Sequence, residues 1–193
     1  MGEARPRRPL RPLGHRTRPR RPGPPGPRRE ALSAPPEQPP LRLFVYGTLK
    51  RGERNHDRFC AGFASVEEAT VRGRIYDLPY GFPALVVPAE DVHAVGTADY
   101  VADANLPHGA RVRERAELPG WDSVHGELMT FGDPTERLPA VDGLERFRPG
   151  EEGFYTRVLV PVTPASSGEP VLAWAYSAAE GSGVYLPGGT WPA

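Results

Sequence analysis

The chain has very few of the residues that build cross-links, cysteine metal sites and membrane spans. Cys60 is the single cysteine among 193 residues, which excludes an internal disulfide and a cysteine-based metal site. No segment approaches the roughly twenty consecutive apolar residues of a membrane-spanning helix, and no uninterrupted apolar stretch follows the basic start, as a secretory signal would require. We therefore expect a cytoplasmic protein without a membrane partner, and we interpret Cys60 as a buried thiol.

Several motifs of nucleophilic, nucleotide and metal chemistry are also missing. No glycine-rich segment ends in Gly-Lys-Ser/Thr, which excludes a phosphate loop, and no G-x-S-x-G elbow indicates an acyl-enzyme mechanism. The spacing of the histidines is not that of metal ligands, and we interpret four of them as structural or exposed: His56, His93, His108 and His125. We therefore expect neither a metal nor a cofactor.

The first forty residues lack aromatic side chains and are rich in proline and arginine. Twelve of the 25 prolines lie there, with ten Arg against three Glu, a net charge of 10 − 3 = +7 in a chain of zero formal charge. Because so little apolar surface cannot offset the entropy of ordering, we predict a disordered tail over residues 1–40 and a domain over residues 41–193. We interpret the tail as a solvated linker or an upstream-extended start of translation. A basic arm for nucleic acid is the alternative, but the aromatic residues that stack on bases are missing.

The remainder of the chain has the composition of a globular domain with short strands. Strands are predicted from runs of apolar, β-branched and aromatic residues over 41–46, 70–78, 82–88, 123–131, 154–162 and 170–177. Asp133 as N-cap, with Pro134 and Glu136 behind it, predicts the start of one clear helix. Asn55 is the predicted N-cap of one or two further turns over 55–60, and 104–120 is predicted as irregular. This pattern predicts an α+β fold, a small mixed β-barrel with a helix at its mouth.

A glycine directly after the first strand marks the first candidate site. Gly47 and Thr48 end the apolar run that begins at Leu41. A residue without Cβ lets the chain turn and lets a ligand approach the amides, and successive N–H groups can bind an oxygen that becomes negative. From spacing alone, an ordinary strand-to-loop turn is the favoured interpretation.

A carboxylate within an apolar stripe marks the second candidate site. At about 100° per residue, one face of segment 138–147 is apolar, formed by Leu138, Val141 and Leu144. Glu145 falls within this face, and Asp142 borders it and could add like-charge repulsion. Desolvation there would raise the carboxyl pKa, as a general acid/base near neutral pH requires. The pattern leaves open whether Glu145 is such a base, is paired to an arginine such as Arg157, or lies in an irregular turn.

Five segments together resemble the gamma-glutamylcyclotransferase-like family, in the branch that includes gamma-glutamylamine cyclotransferase. They occur in the family's order along the chain, over residues 44–56, 80–86, 124–128, 141–147 and 154–162. The resemblance implies a small barrel that holds a substrate's glutamyl group at its mouth. It assigns substrate binding to Tyr46, Gly47, Thr48, Leu49 and Tyr155, and it makes Glu145 the proton acceptor.

The resemblance implies an enzyme that acts on small gamma-glutamyl compounds. The substrate's α-amine would attack its own γ-carbonyl and release 5-oxoproline with a free amine or amino acid. The segment 146–153 is longer than in the family pattern and is expected to form one rim of the pocket. Two other hypotheses remain: a non-catalytic gamma-glutamyl-binding domain of the same fold, or a protein that associates with nucleic acid through its basic tail.

Overall fold

The computed structural model describes residues 1–2, 39–107, 110, 112 and 120–192. Internal contacts divide the chain into two units, Met1–Pro35 and Pro36–Ala193, and the second contains all the elements described below. Most of the predicted disordered tail, and most of the segment 104–120 predicted as irregular, lie outside the described residues. Across the described residues, no helix combines the length and the apolar character needed to cross a membrane.

Eight strands and three α-helices make up the described part of the domain. The strands are β1 (Leu41–Val45), β2 (Ser65–Leu78), β3 (Phe82–Val86), β4 (Ala94–Val95), β5 (Asp122–Phe131), β6 (Tyr155–Pro164), β7 (Val171–Ala178) and β8 (Val184–Tyr185). The α-helices are α1 (His56–Phe59), α2 (Tyr100–Ala104) and α3 (Pro134–Glu145), and a 3-10 helix spans Ala89–Asp91. All six predicted strands and the predicted helix are confirmed, with β2 beginning five residues earlier than expected.

Five strands close into a barrel of mixed direction. They follow the order β2-β5-β1-β7-β6, and a further pairing of β2 with β6 closes the circle. Leu43 on β1 lies opposite Met129 of antiparallel β5 and opposite Trp174 of β7, and β1–β7 is a parallel pair. Strands β3 and β8 extend from β2, and β4 pairs with β6. The predicted small mixed β-barrel is therefore confirmed.

Strand β1 is buried on both faces, as its sequence predicts. Its alternating side chains enter two apolar clusters, one containing Leu41, Leu43 and Val45 and the other containing Phe44. The first cluster also contains Leu138 and Val141 of α3. The apolar face of α3 is thus packed on the barrel, and the end of the helix is held close to the loop that follows β1.

Both predicted N-caps use their side chains differently from the expectation. Asn55 precedes α1, but its side chain makes no capping bond. Its side-chain amide instead donates to the Thr48 hydroxyl at 3.0 Å. Asp133 precedes α3 without a side-chain cap, and its carboxylate pairs with Arg137 one turn later at 2.9 Å. The predicted helix starts are right, whereas the predicted capping bonds are wrong because nearby polar groups compete for the same side chains.

A fully buried arginine on β6 connects the barrel to two helices. Arg157 donates from Nη2 to Asp103 of α2 at 2.5 Å and to the Thr97 carbonyl at 2.9 Å. Its Nη1 lies 3.4 Å from Oδ2 of Asp142 on α3, and its guanidinium carbon lies 5.0 Å from the ring centroid of Trp174. Because both carboxylates are also buried, this cluster fixes the position of α3 on the barrel.

Replacing Arg157 by methionine should destabilise the domain strongly. The substitution leaves two buried carboxylates without their cation, and breaking a buried pair costs about 3–5 kcal/mol. The control is Arg148→Met, which removes an exposed pair with Glu151 and should change the free energy of unfolding by less than about 1 kcal/mol. Urea titrations of both variants measure the difference, and equal effects would contradict the structural role of Arg157.

Candidate active site

One cavity of about 700 Å³ lies where the loop after β1 meets the end of α3. Its walls also include the start of β3, the turn before it and the start of β6. All six site residues predicted from the sequence line it: Tyr46, Gly47, Thr48, Leu49, Glu145 and Tyr155. Arg146 and Gly153 line it as well, so both ends of the segment 146–153 contribute to the wall, as expected of a rim.

The carboxylate of Glu145 faces this cavity without a protein partner. Glu145 is the last residue of α3 and is half-buried. Among the described residues it makes no hydrogen bond and no ion pair, and the alternative that it pairs with Arg157 is wrong because that cation contacts Asp103 and Asp142. Burial raises the pKa of the Glu145 carboxyl from 4.5 to about 7. An unpaired carboxyl that titrates near neutrality can both take and return a proton.

Asp142 does not act on Glu145 in the way the sequence suggested. Its Oδ1 accepts a 2.7 Å hydrogen bond from the Tyr176 hydroxyl, and its Oδ2 lies near Arg157. The pKa shift of Glu145 has burial as its cause. The expected like-charge repulsion from Asp142 is therefore wrong, because Asp142 is engaged in the buried cluster around Arg157.

The loop after β1 presents backbone amides that are not used within the loop. The Lys50 amide donates to the Gly47 carbonyl and the Asn55 amide donates to the Thr48 carbonyl, both at 3.0 Å. The amides of Gly47, Thr48 and Leu49 donate to no acceptor among the described residues. These three amides belong to residues that line the cavity, so they can donate to an oxygen of a ligand.

A buried glutamate of β5 holds this loop in place. One carboxylate oxygen of Glu127 accepts the backbone N–H of Arg51 at 2.9 Å, and the other accepts its side-chain Nε at 2.7 Å. This contact was not predicted from the sequence, although Glu127 stands on the same strand face as Met129, which is fully buried. A charged residue on the core-facing side of a predicted strand was the available signal, since such a group requires a partner.

Glycine at position 47 is required by packing as well as by amide exposure. A Cβ there would lie 2.7 Å from Cγ and 2.8 Å from Cδ of Pro83 on β3. The backbone of Gly47 is not in the left-handed region, so the requirement is steric. The structure thus shows a close approach of Pro83 to Gly47, whereas the approach of a ligand to the Gly47 amide stays a prediction.

Two tyrosines form the wall next to Glu145 with their hydroxyl hydrogens already committed. Tyr46 donates to the Tyr176 carbonyl at 2.7 Å, and Tyr155 donates to the Pro83 carbonyl at 2.6 Å. Burial, together with the charge of Glu145, raises the pKa of both phenols above 10.0. Both phenols therefore stay neutral, and their hydroxyl groups also interact with each other.

Cys60 is a buried core residue, in agreement with the sequence-based interpretation. Its side chain belongs to the apolar cluster that contains Leu138 and Val141. Burial raises the pKa of its thiol to about 12, so the reactive thiolate is suppressed near neutral pH. Within the described residues, no group of three or more His, Cys, Asp and Glu side chains is placed to hold a metal ion.

Comparisons with known proteins give one family and several distant structures. The profile of the family described as Gamma-glutamyl cyclotransferase, AIG2-like, matches residues 43–117 and 110–193. YkqA from Bacillus subtilis is 19% identical, with a TM-score of 0.48 over 79% of this chain, and the chain covers 39% of that protein. An AIG2-like protein from Mus musculus is 19% identical, with a TM-score of 0.47. The match covers 75% of this chain and 80% of the mouse chain. No curated protein matches the sequence.

The raised pKa of Glu145 predicts a characteristic dependence of stability on pH. Because the folded state binds the proton more tightly, stability is full below about pH 4.5 and falls as the pH rises through about 7. Glu145→Gln should remove this loss and raise the free energy of unfolding by about 2–3 kcal/mol at pH 8, with a smaller gain at pH 5. Urea titrations at both pH values test it, with exposed Glu152→Gln as control. A gain that does not change with pH would contradict a buried, unpaired carboxyl.

The contact between Gly47 and Pro83 predicts that even one methyl group is harmful. Gly47→Ala should lower the free energy of unfolding by about 1–3 kcal/mol, because the loop or β3 must shift. Gly132→Ala is the matched control, since a Cβ there meets nothing within 4 Å. Thermal unfolding of both variants measures the difference. Equal stability would contradict the prediction, because it would show that the loop and β3 shift at little energetic cost.

Proposed function

Because the chain belongs to the Gamma-glutamyl cyclotransferase, AIG2-like family, we propose that it cyclises a gamma-glutamyl compound and releases 5-oxoproline with a free amine or amino acid. The observation that carries this proposal is the unpaired carboxyl of Glu145 in the same cavity as three uncommitted loop amides. A site that only bound a ligand would need no proton carrier that titrates near neutrality.

The reaction moves two protons from the attacking nitrogen to the leaving nitrogen of an intramolecular attack. The substrate's α-amine nitrogen forms a bond with its own γ-carbonyl carbon and closes a five-membered lactam. The amide bond from that carbon to the leaving nitrogen then breaks. At neutral pH the α-amine is an ammonium, which must lose one proton before it attacks and a second as it becomes the lactam N–H. The leaving nitrogen gains two protons and departs as an ammonium. The steps balance without water, a metal, a nucleotide or a covalent intermediate.

Glu145 is the group proposed to move these protons. Its carboxylate form would accept a proton from the attacking nitrogen, and its acid form would deliver it to the departing nitrogen, once for each of the two protons. A carboxyl with a pKa of about 7 serves both steps near neutral pH, because neither protonation state is strongly disfavoured. Because Glu145 forms no ion pair within the described residues, the substrate ammonium can be its partner.

The loop and the two tyrosines would position the glutamyl group. The amides of Gly47, Thr48 and Leu49 are the available donors for the carbonyl oxygen as it becomes negative, and one such donor is worth about 3–4 kcal/mol in comparable sites. The hydroxyl oxygens of Tyr46 and Tyr155 can accept hydrogen bonds from the ammonium, since their own hydrogens are committed. Assignment to the gamma-glutamylamine branch and a cytoplasmic location belong to the same proposal.

Release of 5-oxoproline from a gamma-glutamyl dipeptide or from gamma-glutamyl-ε-lysine tests the proposed activity. The purified chain should release it without added metal, and kcat/KM should rise with pH through an apparent pKa of about 7 as Glu145 loses its proton. Glu145→Gln should lower kcat by at least about a hundredfold, the usual contribution of a general acid/base, while the fold is retained.

The exposed Glu152→Gln variant is the matched control and should keep full activity. Tight binding of gamma-glutamyl compounds without any 5-oxoproline would favour the non-catalytic binding domain instead. Full activity of Glu145→Gln would remove the assignment of the proton carrier and leave the family membership intact.

A further inference from the structure

Two arginines at the cavity are without an acidic partner among the described residues. Arg54, in the loop after β1, and Arg146, directly after α3, line the cavity and are exposed. Neither makes a hydrogen bond or an ion pair within the described chain through its side chain. Arg51 and Arg137, by contrast, are engaged by carboxylates on the protein. The cavity lining therefore carries two positive charges that no acidic side chain of the described residues neutralises.

The backbone at Arg146 indicates that its side chain is retained at a cost. Arg146 has φ 56° and ψ 28°, and it is the one residue other than glycine with positive φ among those described. A helix that ends in this conformation ordinarily has Gly or Asn there, because a Cβ is disfavoured. An arginine in this place disfavours the fold locally, so a use for its guanidinium is the natural explanation.

Arg54 and Arg146 are exposed residues of the cavity lining, and neither forms an ion pair with Glu145. Nη1 of Arg54 lies 3.4 Å from where a Cβ of Gly81 would be, in the turn between β2 and β3. Neither Arg54 nor Arg146 is a cause of the pKa shift of Glu145, which comes from burial. The arginines therefore do not tune that carboxyl, and their charge is available to a ligand.

The proposed reaction places the leaving half of the substrate at this mouth. The γ-carbonyl must lie between Glu145 and the loop amides, so the amine being released extends away from them toward the exposed rim. Guanidinium groups bind carboxylates with paired, charge-assisted hydrogen bonds. The charge at the rim thus fits an amine that carries a carboxylate.

We infer that Arg54 and Arg146 are specificity-determining residues that bind a carboxylate on the leaving half of the substrate. This inference rests on the proposed cyclisation and deepens it. The enzyme then prefers gamma-glutamyl compounds whose leaving amine carries a free carboxylate, as lysine does in gamma-glutamyl-ε-lysine, over those whose leaving amine carries none. High salt weakens the preference, because exposed charges are screened.

A pair of substrates that differ only in this charge tests the inference. We expect kcat/KM for gamma-glutamyl-alanine to exceed that for its C-terminal amide by roughly tenfold or more, as expected for a hydrogen bond to a charged group. In the double variant Arg54→Gln/Arg146→Gly this ratio should fall toward one, mainly through KM. Arg148→Gln, which removes an exposed arginine outside the cavity wall, should leave the ratio unchanged.

Glycine is chosen at position 146 so that a loss of the substrate preference cannot result from misfolding of the double variant. Arg146→Gly relieves the left-handed backbone, so its melting temperature should equal or exceed that of the wild type. A wild-type ratio near one would overturn the inference. An equal loss of kcat/KM with both substrates in the double variant would also overturn it, because the guanidinium groups would then bind the glutamyl half of the substrate.

Calorimetry separates failure of this inference from failure of the proposed activity. Both compounds are titrated into Glu145→Gln and into the same variant with Arg54→Gln added. Turnover without a charge preference refutes the arginine site alone. Arginine-dependent preference in binding, without 5-oxoproline from the wild type, refutes the cyclisation and keeps the anion site. If the wild type shows no turnover and the variants show no preferential binding, both proposals are refuted.

Discussion

The buried guanidinium of Arg157 is the interaction on which the candidate site depends. A charge without solvent is tolerated only where partners surround it, and here Asp103, Asp142 and the ring of Trp174 do so. Asp142 lies three residues before Glu145, so the contact that neutralises the cation also fixes the last turn of α3. With two carboxylates already supplied, Arg157 has no need of Glu145, which is left facing the cavity.

Two glutamates illustrate how partners, and not residue type, set a role. Glu127 is buried and clamps the loop through the backbone and side chain of Arg51. Glu145 is half-buried, has no such partner among the described residues, and has its pKa raised to about 7. The first carboxylate keeps the uncommitted loop amides in place, and the second is the proposed proton carrier. The two residues belong to different elements, Glu127 to strand β5 and Glu145 to the end of helix α3.

Local patterns in the sequence predicted the elements that carry the site, because these patterns reflect burial of one face or of both. Strand β1, the start of α3 and the position of Glu145 in an apolar stripe follow from spacing alone. The partners of Arg157 do not, since Asp103 comes from a five-residue helix with no periodic signal. The contact between Gly47 and Pro83 is equally invisible, because it joins residues that only the folded barrel brings together. The assignment of substrate-binding roles came from the family resemblance and remains a proposal.

The position of strand β1 in the barrel affects how the chain folds during synthesis. It is the first strand of the barrel to be synthesised, yet it lies between β5 and β7 and pairs in parallel with the latter. Contacts so distant along the chain form slowly, since a long loop must close first. The loop formed by residues 46–49 therefore reaches its final position only after β7 has left the ribosome. A truncated translation product would display an unpaired apolar strand and no pocket, which makes it a substrate for chaperones or proteases.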